Sequence, residues 1–154
     1  MPHVSHRLDL LVVSTDMERV FTRTEFETFV ARFPRKNAVI QGGFERVWLD
    51  QPGRMLLYAN QQGGFRVHCP VNKDNIAGLF GRALVAWKGG AARALRCSAC
   101  GEQHQLETCE LRPPGAFARS AIVFSDVEGI ALSAEAGEVL ADTLGPVRVV
   151  LRRR

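Results

Sequence analysis

The chain has no apolar run approaching the roughly 20 residues that a membrane-spanning helix needs. Its longest, Leu8 to Val13 interrupted by Asp9 and Ala121 to Phe124, are far shorter, so no membrane partner is expected. The opening residues Met1-Pro2-His3-Val4-Ser5-His6-Arg7 lead into an apolar stretch broken by Asp9, without the small-residue cleavage site of a signal peptide. A cytoplasmic location is the expectation. Phosphate-binding loops are missing too: Gly42-Gly43 and Gly63-Gly64 stand in neither GxxxxGK[ST] nor GxGxxG. No Ser or Cys sits in a recognisable nucleophile motif, and two of the four histidines lie in the first six residues. Asp126 and Glu128 follow an apolar strand and read as solvated strand-end acids rather than as an acid/base pair. The sequence therefore points away from an enzyme. Internal repeats and low-complexity linkers are also lacking.

What is present is an ordinary globular composition, 46% hydrophobic and 23% charged over 154 residues. That length is near the commonest domain size and supports one hydrophobic core. A single α+β domain over 1–154 is expected, with short flexible termini at about 1–6 and 152–154. The net charge of +4 is mild, but it is unevenly spread. From Val30 to Cys100 eleven basic residues face only Glu45, Asp50 and Asp74, giving that segment +8. From Gly101 to Val147 the balance reverses, and the chain closes on Arg148, Arg152, Arg153 and Arg154. The basic 30–100 segment suits a polyanion such as nucleic acid. Alternatively, seventeen arginines among twenty basic residues, with many Ala and Gly, reflect a bacterial type of composition set by GC-rich codons.

Hydrophobic periodicity sets out the elements. Leu8 to Val13 reads as a strand. Thr24-Glu25-Phe26-Glu27 has capping-box spacing, and Phe26, Phe29, Val30 and Phe33 share one face of a helix that ends at Pro34. Phe44 to Leu49, Arg54 to Ala59 and Gly64 to Cys69 are extended runs separated by turn residues, the pattern of an antiparallel meander. Ile76, Leu79, Phe80, Leu84 and Trp87 trace a second helix, capped by Asn72 or Asp74 and stopped by Gly89-Gly90. Strands are expected at Arg93 to Cys97, Gln105 to Leu111 and Phe117 to Phe124. Ser133 caps a third helix ending at Gly145-Pro146, and Val147 to Leu151 closes the chain. The fold class expected is α+β, a mainly antiparallel sheet with about three helices packed on it and a knuckle-like β-hairpin. Trp48, Tyr58 and Phe65 on the meander are core residues, or partner anchors if their faces turn outward.

Chemistry gathers at the four cysteines. Reduced thiols in a cytosolic setting favour metal or redox roles over disulfides. Cys97-Ser98-Ala99-Cys100-Gly101 is a CxxC turn in which both sulfurs converge and Gly101 supplies a positive φ, a geometry that suits Zn²⁺. The stretch resembles a zinc-ribbon knuckle, whose usual form is Cys-Pro-x-Cys-Gly, and matches it except at the proline. Cys69-Pro70-Val71-Asn72 resembles a second knuckle in which the second cysteine has become Asn. The resemblance implies a structural Zn²⁺ held by Cys69, Cys97 and Cys100, with Cys109 favoured as fourth ligand and His104 as the alternative. His68, adjacent to Cys69, points to the opposite face of an extended strand and reads as a surface histidine.

Three functional readings follow. The first is a non-enzymatic protein-binding or adaptor domain whose hairpin is braced by the knuckle. The second is a nucleic-acid-binding protein using the basic 30–100 segment. The third is a thiol oxidoreductase using Cys97 and Cys100. Cysteines that simply pack in the core remain the metal-free alternative.

Overall fold

The computed structural model describes residues 7–154; the N-terminal tail expected at 1–6 lies outside them. In chain order the elements are β1 (Leu8–Ser14), α1 (Arg23–Arg32), β2 (Val47–Asp50), β3 (Leu56–Tyr58), β4 (Arg66–His68), α2 (Ala77–Lys88), β5 (Ala94–Arg96), β6 (Gln103–Gln105), β7 (Glu110–Arg112), β8 (Ala116–Ala118), β9 (Ala121–Phe124), α3 (Ala134–Leu144) and β10 (Val147–Arg153). Three helices and antiparallel strands make this an α+β protein. Contacts gather in two compact units: the chain up to Gly63 together with Gly115–Arg154, and Gly64–Pro114.

The first unit is organised by β1. It lies inside a four-stranded sheet of order β10-β1-β9-β2, and from Asp9 onward every residue of it is buried. Alternation along the strand sends Leu10 and Val12 to one face, where Ile122 and Phe124 of β9 pair with them in register. This face packs on Phe26 and Phe29 of α1 and on Val139 and Leu140 of α3. Leu11 and Val13, opposite Val123 and Ala121, face the other way and pack with Tyr58, Ala116 and Ala118 of the β3–β8 ladder. A strand covered on both sides reads as a continuous apolar run, as Leu10-Leu11-Val12-Val13 does. Asp9 interrupts the run and is fully buried, but Arg152, its register partner on β10, and Arg154 bring guanidinium nitrogens to 3.1 and 2.9 Å from its carboxylate.

Several boundaries differ from the sequence-based expectation. The expected meander does not form. Val47–Asp50, Leu56–Tyr58 and Arg66–His68 each pair with a strand on the returning chain, Ala121–Phe124, Ala116–Ala118 and Glu110–Arg112 respectively. The turns at Asp50 to Gly53 and Asn60 to Gly63 bend the chain without folding one run onto the next; local turn chemistry fixes the bend, and long-range pairing fixes the partner. Gln105 to Leu111 is split by a 3₁₀ turn at Leu106–Thr108, and Phe117 to Phe124 is broken at Arg119-Ser120. Ser133 caps α3 as expected, whereas Asn72 and Asp74 do not cap α2, whose first N–H bonds Asn75 instead. The last residues, expected as a loose tail, are tied down: Arg152 and Arg153 belong to β10, and Arg154 also reaches Asp126 at 3.1 Å. Of the candidate aromatic anchors, Trp48 is 38% exposed, Tyr58 is buried with its hydroxyl donating to Asp50 at 2.7 Å, and Phe65 packs edge-on against Phe80.

The N-terminus of α1 is capped two residues earlier than the Thr24 spacing predicts. Thr22 Oγ1 accepts from the Glu25 N–H at 3.1 Å, and Glu25 accepts in return from the Thr22 N–H at 3.0 Å. The Arg19 side chain donates to the same carboxylate, which with the Thr22 bonds holds the Glu25 carboxyl down at about 2, against desolvation. A carboxylate whose folded-state value lies below its unfolded one stabilises the fold above the unfolded value and loses that contribution as pH falls through the folded value. Glu25→Gln is therefore expected to lower urea-unfolding stability at pH 7. The gap from the parent protein should narrow between about pH 4.5 and about 2. Thr22→Ala, which removes the hydroxyl's bonds to the Glu25 N–H and carboxylate, should cost about 1 kcal/mol.

Candidate metal centre

In the unit Gly64–Pro114 the helix α2 packs against β4, β5 and the 3₁₀ turn at Leu106–Thr108, and Phe80, Leu84, Val67, Leu95, Leu106 and Leu111 are buried. The ends of the short strands beside it carry the cysteines. Cys69 directly follows β4, and Cys97 directly follows β5. Cys100 lies in the turn that joins β5 to β6, and His104 is the middle residue of β6. Leu95 and His104 are register partners, and both point inward while Gln103 and Gln105 point out.

The sulfurs of Cys69, Cys97 and Cys100 and one ring nitrogen of His104 all lie within 4.8 Å of one another. His104 Nε2 is 3.5 Å from Cys69 Sγ and 3.1 Å from Cys100 Sγ. Zinc bonds to sulfur of about 2.3 Å and to nitrogen of about 2.0–2.1 Å make the sulfur–nitrogen edge of a tetrahedron about 3.6 Å. Four donors from three chain segments thus stand close enough together to hold one metal ion. Cys69, Cys97 and His104 are buried and Cys100 is half-buried.

Two backbone turns set this geometry. In the second, the Cys97 N–H donates to Glu102 O at 2.8 Å and the Gly101 N–H donates to Cys97 O at 2.8 Å, with Gly101 at φ +80°. In the first, the Cys69 N–H donates to Asp74 O at 2.8 Å and the Lys73 N–H donates to Cys69 O at 3.0 Å, with Lys73 at φ +65°. The two turns have the same bonds at the same offsets. Burial pushes the Cys69 thiol up, but the N–H groups of Asn72 and Val71, with Cys100 and His104 beside it, hold it down at about 6. At Cys100 the Glu102 N–H pulls down, yet desolvation and the neighbouring Cys69 and Cys97 sulfurs prevail, leaving its thiol at about 11. Thiols this close resist ionising together. A divalent cation among them would favour all three thiolates.

Of the predicted ligands the structure thus brings together Cys69, Cys97, Cys100 and His104, the alternative fourth donor. Cys109 stays outside the cluster. The 3₁₀ turn at Leu106–Thr108 takes the chain off the hairpin, and the Cys109 thiol points at Gln105 O, 3.9 Å away. Burial, with Cys69, Cys97 and Glu107 nearby, pushes it up to about 11. The sequence signal for His104 was the polar–His–polar alternation of Gln103-His104-Gln105, which sets the imidazole on the inward face of a short strand. His68 lies outside the cluster, its Nδ1 2.9 Å from Lys73 O. Cys97 and Cys100 bracket a turn between two strands rather than opening a helix. The chain matches no protein-family model, no curated protein and no solved structure.

The equivalence of the two turns carries a prediction. Nothing lies within 4 Å of a side chain added at Gly101, so the cost of Gly101→Ala is that of the left-handed backbone alone, about 1 kcal/mol. Lys73→Gly relieves the same strain while adding unfolded-state freedom. Thermal melts should show a clear loss for the first substitution and a change within about 0.5 kcal/mol for the second.

Proposed function

We propose that Gly64–Pro114 is a zinc-braced module of a non-enzymatic protein-binding or adaptor protein, with Zn²⁺ held structurally by Cys69, Cys97, Cys100 and His104. The reading rests on the convergence of these four donors within 4.8 Å. Three thiolates and one imidazole complete a tetrahedron without a position for water or substrate, as in structural zinc sites. A unit of about fifty residues also falls below the size at which a hydrophobic core alone suffices, and a metal is one of the usual staples. A protein partner is favoured by large apolar side chains at the unit's surface, Val71 on the first turn and Val85 on α2, which are 58% and 71% exposed.

Elemental analysis of tag-free protein should find near-stoichiometric zinc, and chelation should lower the melting temperature, since metal binding and folding share one free energy. His104→Ala should weaken zinc binding at least 100-fold, an order-of-magnitude figure set by the 10–100-fold that outer-shell changes already cost. Cys109→Ala should keep its zinc. Protein that takes up no zinc on reconstitution, or that needs Cys109 and not His104, would refute this ligand set.

Nucleic-acid binding is a second reading. Arg66, Arg82, Lys88 and Arg96 of the same unit are exposed, and among the described residues none of them is in an ion pair closer than 4.0 Å. A gel shift with single- and double-stranded probes separates the readings. The protein-binding one expects no shift even at low salt, whereas phosphate contacts would produce a shift that weakens steeply as salt rises.

A further inference from the structure

The two cysteine turns correspond residue by residue, and in that correspondence Asn72 stands where the second turn has Cys100. The match extends to the side chains. The Cys100 sulfur accepts a bond from the backbone N–H of Glu102, two residues on. Asn72 Oδ1 accepts from the backbone N–H of Asp74, also two residues on, at 3.0 Å. Its carboxamide oxygen therefore takes the place in the first turn that a thiolate takes in the second. The rest of the group is used as well: Asn72 Nδ2 donates to Ala99 O at 3.0 Å. Ala99 lies inside the Cys97–Cys100 turn, so this bond ties one turn directly to the other across 27 residues of chain.

We propose that Asn72 is a positioning residue of the metal site: it occupies a vacated ligand position, straps the first turn to the second through Ala99, and leaves the fourth coordination position to His104. The inference rests on the zinc reading above. Asn72 binds no metal itself, since its oxygen and its nitrogen both have backbone partners. Its effect is geometric. Cys69 reaches the cluster from a different strand than Cys97 and Cys100, and among the described residues the Asn72–Ala99 bond is the side-chain hydrogen bond that joins the two turns outside the donor atoms. Ligand-orienting partners of this kind typically govern 10–100-fold in metal affinity.

The test uses the full chain loaded with Co²⁺ under reducing, anaerobic conditions, where the visible spectrum reports the number of sulfurs on the metal. The parent protein and Asn72→Ala should both give a three-sulfur, one-nitrogen spectrum, with affinity about 10–100-fold weaker in the variant. Asn72→Asp, which keeps the oxygen but loses the N–H donor to Ala99, should weaken it similarly. His104→Ala should bind poorly. The double variant Asn72→Cys/His104→Ala should recover at least about tenfold of the lost affinity, with thiolate-to-cobalt intensity above that of the parent protein, because a fourth sulfur has replaced the imidazole. Parent-like affinity in Asn72→Ala, or a double variant no tighter than His104→Ala, would overturn the assignment. A parent protein that binds no Co²⁺ would instead remove the metal reading on which it rests.

Discussion

Convergence of Cys69, Cys97, Cys100 and His104 is the constraint on which the second unit depends. The strands that carry or adjoin these residues are three residues long each, with helix α2 between β4 and β5 and a turn between β5 and β6. Such short ladders bury little apolar surface, and two-stranded ribbons of this size are marginal in water. Their ends nevertheless meet within 4.8 Å. Each cysteine turn orders its own backbone through a pair of bonds, so the donors arrive at the cluster already oriented, and little chain entropy is left to lose when they meet. Helix α2 supplies the other half of the unit's order by packing against β4 and β5, with Phe80 and Leu84 buried.

The first unit solves the same problem with area rather than with ligands. Its central strand is buried on both faces, and the helices α1 and α3 and the β3–β8 ladder each meet one of them. The charged residue in that strand, Asp9, is paired with Arg152 and Arg154. A buried carboxylate removed from water is costly unless paired, so removing either arginine would leave the Asp9 charge less compensated. The final arginines are thus not a loosely held basic tail; Arg152 and Arg154 are committed to this pairing.

How much of this the sequence disclosed follows from the range of each interaction. The three helices were legible because their apolar stripes and breakers, Pro34, Gly89 and Gly145, act within a few residues. The strands were legible as runs, and their partners were not. Phe44 to Leu49, Arg54 to Ala59 and Gly64 to Cys69 look like consecutive hairpins, yet each partner comes from beyond residue 109. The cysteine turns were visible as a CxxC and a near-CxxC because backbone bonds of offset four and five build them locally. The fourth donor depended on whether the chain after His104 stayed extended. A 3₁₀ turn of three residues leaves Cys109 outside the cluster, and nothing in Leu106-Glu107-Thr108 distinguishes such a turn from a strand by period alone. The role of Asn72 was hidden for the opposite reason. Its identity looked like the loss of a ligand, and only the bond to Ala99 shows what it does instead.

The same geometry bears on reactivity. A redox-active CxxC pair is activated where a helix N-terminus lowers one thiol and solvent or substrate reaches it. Here Cys97 is fully buried, and the turn leads from one strand into another. The Cys69 thiol is held down by backbone donors from its own turn, and it too is fully buried. The half-buried sulfur of the cluster, Cys100, is instead held high. This distribution suits thiolates that serve as ligands, where a cation inside the cluster supplies the charge that ionises them and the surrounding protein keeps them from exchange. Three of the four donors, Cys69, Cys97 and His104, are thereby shielded from solvent.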